Sequence, residues 1–117
     1  MPYRKILERL LASVPGSRTA LLQDAQGEVV VGAGDLGERH RLIGAYHGIA
    51  LGMASRTAGR FGLGPVGSLV WRHKGGSIIL TTLRDGYYLV LSVGPLTLVA
   101  TAQRLCEMAG ERLNEEI

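Results

Sequence analysis

The feature that most constrains this chain is a pair of apolar runs, Ser77-Ile78-Ile79-Leu80-Thr81-Thr82-Leu83-Arg84 and Tyr87-Tyr88-Leu89-Val90-Leu91-Ser92-Val93, joined by Asp85-Gly86. Asp-Gly between two apolar runs is a strong hairpin signal, because both central residues of the tight turn need positive φ. If Asp85-Gly86 is a two-residue loop, Ile78, Leu80, Leu89, Leu91 and Val93 share one side of the sheet. Ile79, Leu83, Tyr88 and Val90 then share the other. Strands apolar on both faces need cover on both sides, which calls for helices above and below the sheet.

The rest of the chain supplies three helices. Ile6, Leu7, Leu10, Leu11 and Val14 recur on one face of a helix from about Tyr3 to Val14, which Pro15-Gly16-Ser17 ends. Thr19–Gln23 and Glu28–Val31 read as two short strands, and Asp24-Ala25-Gln26-Gly27 between them is a turn. A second helix spans roughly Glu38 to Arg60, and Gly62-Leu63-Gly64-Pro65 follows it. Gly67 to His73 is a third strand containing Trp71, turned by Lys74-Gly75-Gly76 into the first apolar run. A last helix begins near Pro95 or Thr97, with Leu98, Ala102, Leu105, Cys106, Ala109 and Leu113 on its buried face. The order α-β-β-α-β-β-β-α, with short links between strands, predicts a three-layer α/β/α sandwich (α+β in type) around a five-stranded antiparallel sheet. At 117 residues this is one domain over residues 1–117.

Several function classes are disfavoured. The net charge of +3 is scattered, with no basic run and few aromatics to stack on bases, so nucleic acid is not an expected partner. The uncharged stretch from Leu42 to Ser55 is 14 residues, short of the roughly 18 to 20 that span a bilayer. A single cysteine, Cys106, and an amphipathic rather than signal-like N-terminus point to the cytoplasm.

Gly32-Ala33-Gly34-Asp35-Leu36-Gly37 matches G-x-G-x-x-G, yet no acidic residue lies between Glu38 and Asp85 to hold a ribose. The strand before it is also the second arm of a hairpin, so a glycine-rich connector is the better reading. His40 and His47 lie seven residues apart on one helix, about 10 Å along its axis, too far to share a metal ion. His73 has no acidic or cysteine partner at ligand spacing, and Cys106 sits on an apolar helix face. No catalytic residue, cofactor or metal site is expected.

Gly44, Gly48 and Gly52 stand four residues apart in the second helix. Each costs a helix roughly 1 kcal/mol relative to alanine, so a packing return is expected. On a wheel of about 100° per residue, Leu42, Ile43, Tyr46, Ile49, Ala50, Met53 and Phe61 gather on one broad side, expected to lie on the sheet. The three glycines then face outward with Arg41, Ser55 and Gly59, and Leu51 lies at the margin. A face so flattened would admit a second backbone, as in a homodimer meeting across a two-fold axis. Trp71 and Leu69 share one face of the third strand, which could pair with its copy if it is a sheet edge. The expected dimer or partner surface is therefore Arg41, Gly44, His47, Gly48, Leu51, Gly52, Ser55, Arg56, Leu69 and Trp71.

The sequence resembles the Roadblock domain family, which includes dynein light chain Roadblock, MglB-like gliding regulators and subunits of lysosomal scaffolds. The likeness rests on Ile6–Leu11 with Val14-Pro15-Gly16, the hairpin Ala20–Val30, the strands around Asp85-Gly86 and the closing helix from Leu98 to Leu113. It implies homodimers or heterodimers with a paralogous chain, formed through the second helix and third strand with a continuous sheet. It further implies partnership with a small Ras-like GTPase, some members activating GTP hydrolysis and others serving as scaffolds. No arginine inherits a catalytic role, and Arg41, Arg56, Arg60 and Arg72 are partner-contact candidates by predicted position alone. The leading expectation is a non-catalytic dimeric regulator, a GTPase-activating or adaptor subunit. A scaffold without effect on turnover, and a small-molecule sensor with a pocket between sheet and helix, are the alternatives.

Overall fold

The computed structural model describes residues 2–117, with the side chains of residues 38–45 and 47 left outside the description. The elements are α1 (Pro2–Ser13), β1 (Ser17–Gln23), β2 (Val29–Gly34), α2 (Glu38–Arg60), β3 (Ser68–His73), β4 (Gly76–Thr82), β5 (Tyr88–Val93) and α3 (Val99–Glu116). Proline at the first helical position of α1 fits because its missing N–H would have no partner there. The turn after β1 closes on the Asp24 carboxylate, which accepts the N–H groups of Gln26 (2.9 Å) and Glu28 (3.0 Å).

The five strands lie in the order β2-β1-β5-β4-β3, every neighbour antiparallel. Both faces of the sheet are covered, as the apolar runs require. On one face Leu22, Ile79, Leu89, Leu91 and Val93 pack with Leu7 and Leu10 of α1 and with Ala102, Cys106, Ala109 and Leu113 of α3. On the other, Leu21, Ile78, Leu80, Tyr88 and Val90 pack with Leu51 of α2. The layers are therefore α1 and α3, the sheet, then α2.

The division of residues between the two faces differs from the two-residue-loop expectation. Asp85 (φ 58°) and Gly86 (φ 79°) do form the tight turn, and the Tyr87 N–H donates to the Arg84 carbonyl at 3.2 Å. The Tyr87 carbonyl, however, accepts from Leu83 (2.8 Å), so Leu83 and Arg84 together oppose one residue. This is a β-bulge. The Arg84 N–H it releases donates instead to the Asn114 side chain of α3, at 2.9 Å. One added residue reverses the pairing of faces across the hairpin. Ile79 and Leu83 thus join Leu89, Leu91 and Val93, whereas Ile78 and Leu80 join Tyr88 and Val90.

Candidate functional site

Helix α2 lies on the sheet by the side opposite to the one its large residues suggest. Leu51 is 5% exposed and Ala58 is also buried, while Tyr46 is 68%, Ile49 61% and Met53 57% exposed. Steps of three and four residues put positions 48, 51, 55 and 58 along one helical stripe, with 46, 49 and 53 behind it. Gly48 settles the facing. A Cβ built there would overlap the Tyr88 hydroxyl and stand 3.1 Å from Tyr88 Cε1. Tyr88 rises from β5 on the α2 side, and the absent side chain at Gly48 makes the niche that its ring fills. The return for a helix glycine is therefore close packing on the chain's own sheet.

This corrects the outward glycine stripe. Gly48 and Leu51 face the sheet and are removed from the expected partner surface. The same correction turns Tyr46, Ile49, Met53 and Phe61 from sheet-facing to exposed. Gly52 lies on the flank, where an added Cβ would meet only Arg56 Nη1, at 3.4 Å, and beside Gly59 there is nothing within 4 Å. Ser55 and Arg56 are exposed. Arg41, Gly44 and His47, like Leu42 and Ile43, fall outside the described residues.

Strand β3 is a sheet edge, pairing with β4 and ending the strand order. Leu69 pairs with Leu80 and Trp71 with Ile78, so both point to the α2 side. Leu69 is half-buried there and Trp71 is exposed. The α2 side of the molecule thus combines an edge strand, an exposed tryptophan and a helix whose outer side carries Tyr46, Ile49 and Met53. Leaving such side chains in water forgoes roughly 1.5–3 kcal/mol each for the aliphatic ones. Soluble monomers rarely expose apolar groups so close together unless something covers them. The sequence reading missed Tyr46, Ile49 and Met53 as surface residues. The signal available was the bulky Tyr88 opposite a helix whose small residues, Gly48, Ser55 and Ala58, line up with Leu51.

Among the described residues no three His, Cys, Asp or Glu side chains converge as metal ligands. Burial, with a smaller contribution from Glu107, pushes the Cys106 thiol up to about 12, which keeps it protonated. Burial also raises the Tyr88 hydroxyl above its usual value, helped by the Asp24 carboxylate. The Gly32–Gly37 segment leaves β2, an antiparallel hairpin arm at the sheet edge rather than a strand of a parallel unit. Among the described residues no helix is long and apolar enough to cross a membrane.

The sequence profile of the Roadblock/LC7 domain matches residues 4–92. The solved Roadblock/LC7 domain from Streptomyces avermitilis is 18% identical, with a TM-score of 0.86 over 96% of this chain and 94% of that one. MglB of Myxococcus xanthus is 14% identical, with a TM-score of 0.85 over 97% and 93%. An MglB described as having a tetrameric arrangement is 18% identical, with a TM-score of 0.83 over 95% and 84%. At such identities these structures speak for the fold. Among curated proteins, none matches in sequence.

Proposed function

Since the chain belongs to the Roadblock/LC7 domain family, we propose that it acts in the cytoplasm as a non-catalytic dimeric regulator of a small Ras-like GTPase, as an activating or adaptor subunit. The observation that carries this reading is the apolar outer side of α2, Tyr46, Ile49 and Met53, on the same side of the sheet as Trp71 of edge strand β3. A second copy related by a two-fold axis would pair β3 with β3, extend the sheet and cover both helices at once. The surface so proposed keeps Arg41, Gly44, His47, Gly52, Arg56, Leu69 and Trp71, adds Tyr46, Ile49 and Met53, and drops Ser55, which shares the stripe of Gly48 and Leu51. The MglB with a tetrameric arrangement supports self-association in this fold.

The GTPase partnership rests on the family resemblance. It is tested by measuring GTP turnover and pull-down with the small Ras-like GTPases of the same organism. Binding with accelerated hydrolysis supports an activator, and binding with unchanged hydrolysis supports an adaptor. Failure to bind in either nucleotide state overturns the GTPase reading and leaves the dimer to be judged by sedimentation.

A further inference from the structure

The layer opposite α2 carries a separate surface. A furrow follows the seam between α1 and α3, floored in its middle by Ile6, Leu10, Leu105 and Met108. It continues over Val14, Pro15, Leu96 and Leu98, and Ser13 and Leu105 line both stretches. Leu96 is 95% and Leu98 75% exposed. Arg9 and Arg112 stand in the middle stretch, and neither guanidinium makes an ion pair or hydrogen bond with a described residue. Arg18 lines the end near Leu96. Lys5, Glu115 and Glu116 line the other end, which Arg9 and Arg112 border as well.

We propose that this furrow docks an acidic amphipathic helix of a partner protein. An apolar trough between two helices suits the apolar stripe of a third, with anchors at three- and four-residue spacing. The cations choose the sign of the flanking charge, because unneutralised guanidinium groups beside a desolvating apolar surface favour carboxylates. Arg18 at the end far from Glu115 and Glu116 biases the direction: the partner's acidic residues run from Arg9 and Arg112 toward Arg18, and its carboxylate-free end lies toward the two glutamates. A second copy is a poorer occupant, since a two-fold contact through this furrow would bring its arginines near their own copies. An anionic membrane is poorer too, because it would meet Glu115 and Glu116 along with the cations. The proposal does not depend on the α2-side dimer, which uses the other layer of the fold.

The test is a display selection of helical peptides, about 18 residues and roughly 27 Å long, on the full chain. Enriched peptides should carry apolar residues at helical spacing flanked by Asp or Glu. Their binding should fall with salt and weaken about tenfold or more with Arg9→Glu plus Arg112→Glu, both exposed positions, the fold being checked by circular dichroism. No enrichment beyond that on the Leu96→Ser, Leu98→Ser variant overturns the proposal, as does enrichment without acidic bias. Binding to phosphatidylserine vesicles in the absence of peptide enrichment would assign the furrow to a membrane. An oligomer that dissociates on the Leu96→Ser, Leu98→Ser change would assign it to a second copy.

Discussion

Replacing Gly48 with alanine separates the two facings of α2 by the sign of its effect. If Gly48 faced solvent, the substitution would stabilise the helix by about 1 kcal/mol through propensity alone. In the structure the new Cβ would overlap the Tyr88 hydroxyl and lie 2.5 Å from Tyr88 Cζ, a ring held in the core by its neighbours. Relieving such overpacking costs about 1–3 kcal/mol, so the net effect is a loss of about 1 kcal/mol. Gly52→Ala, one turn further along, is the internal control. Its Cβ meets only the flexible end of Arg56, so it should stabilise by about 1 kcal/mol. The two substitutions should thus differ by about 2 kcal/mol in urea unfolding at one fixed protein concentration. Tyr88→Phe removes the hydroxyl but leaves Cζ and Cε1 in place, so it should rescue Gly48→Ala only in part. In a Tyr88→Leu background the space opens, and Gly48→Ala should become neutral or stabilising, a coupling measured by the double-mutant cycle. Equal stabilisation by Gly48→Ala and Gly52→Ala, with no coupling to position 88, would refute the packing argument and restore the outward glycine stripe.

Ile49→Glu with Met53→Glu should dissociate the proposed dimer in sedimentation equilibrium while leaving the circular dichroism spectrum intact, because both side chains are exposed in the single chain. The buried Cys106 thiol should resist Ellman's reagent at pH 8 until denaturant is added. Its folded pKa, about 12, lies well above that of an ordinary thiol because the group is buried, so the folded state holds a proton that the unfolded state releases. Stability from this group is complete below pH 9 and falls by up to about 1.4 kcal/mol per pH unit between pH 9 and 12; Cys106→Ala should flatten the first part of that decline. Asp24→Ala removes the acceptor of two turn N–H bonds and should cost about 1–2 kcal/mol in chemical unfolding.

The order of elements was legible because it depends on local patterning. Periodic Leu7 and Leu10, the Asp24–Gly27 turn and the Asp85-Gly86 turn each carry their own signal within a few residues. The bulge was not legible in the same way. It arises because Arg84 has an alternative acceptor for its N–H in Asn114, thirty positions away on α3. A turn dipeptide reports its own dihedral angles, but a one-residue change in register is decided by contacts that local sequence does not contain.

The facing of α2 failed for a related reason with a functional consequence. A wheel assigns the larger apolar side to the core on the premise that one side of a helix is buried and the other is wet. Helix α2 has Leu51 and Ala58 on its inner side and Tyr46, Ile49 and Met53 on its outer side, so the premise has no unique answer. Steric fit against Tyr88 breaks the tie, sending the small side inward and leaving the large side without cover in the single chain. Gly48 serves the fold rather than a partner, and the large residues it displaces outward are the ones that need one. Covering them by a second chain would make folding and association parts of one equilibrium. The apparent stability of the wild type would then rise with protein concentration, while that of the Ile49→Glu, Met53→Glu variant would not.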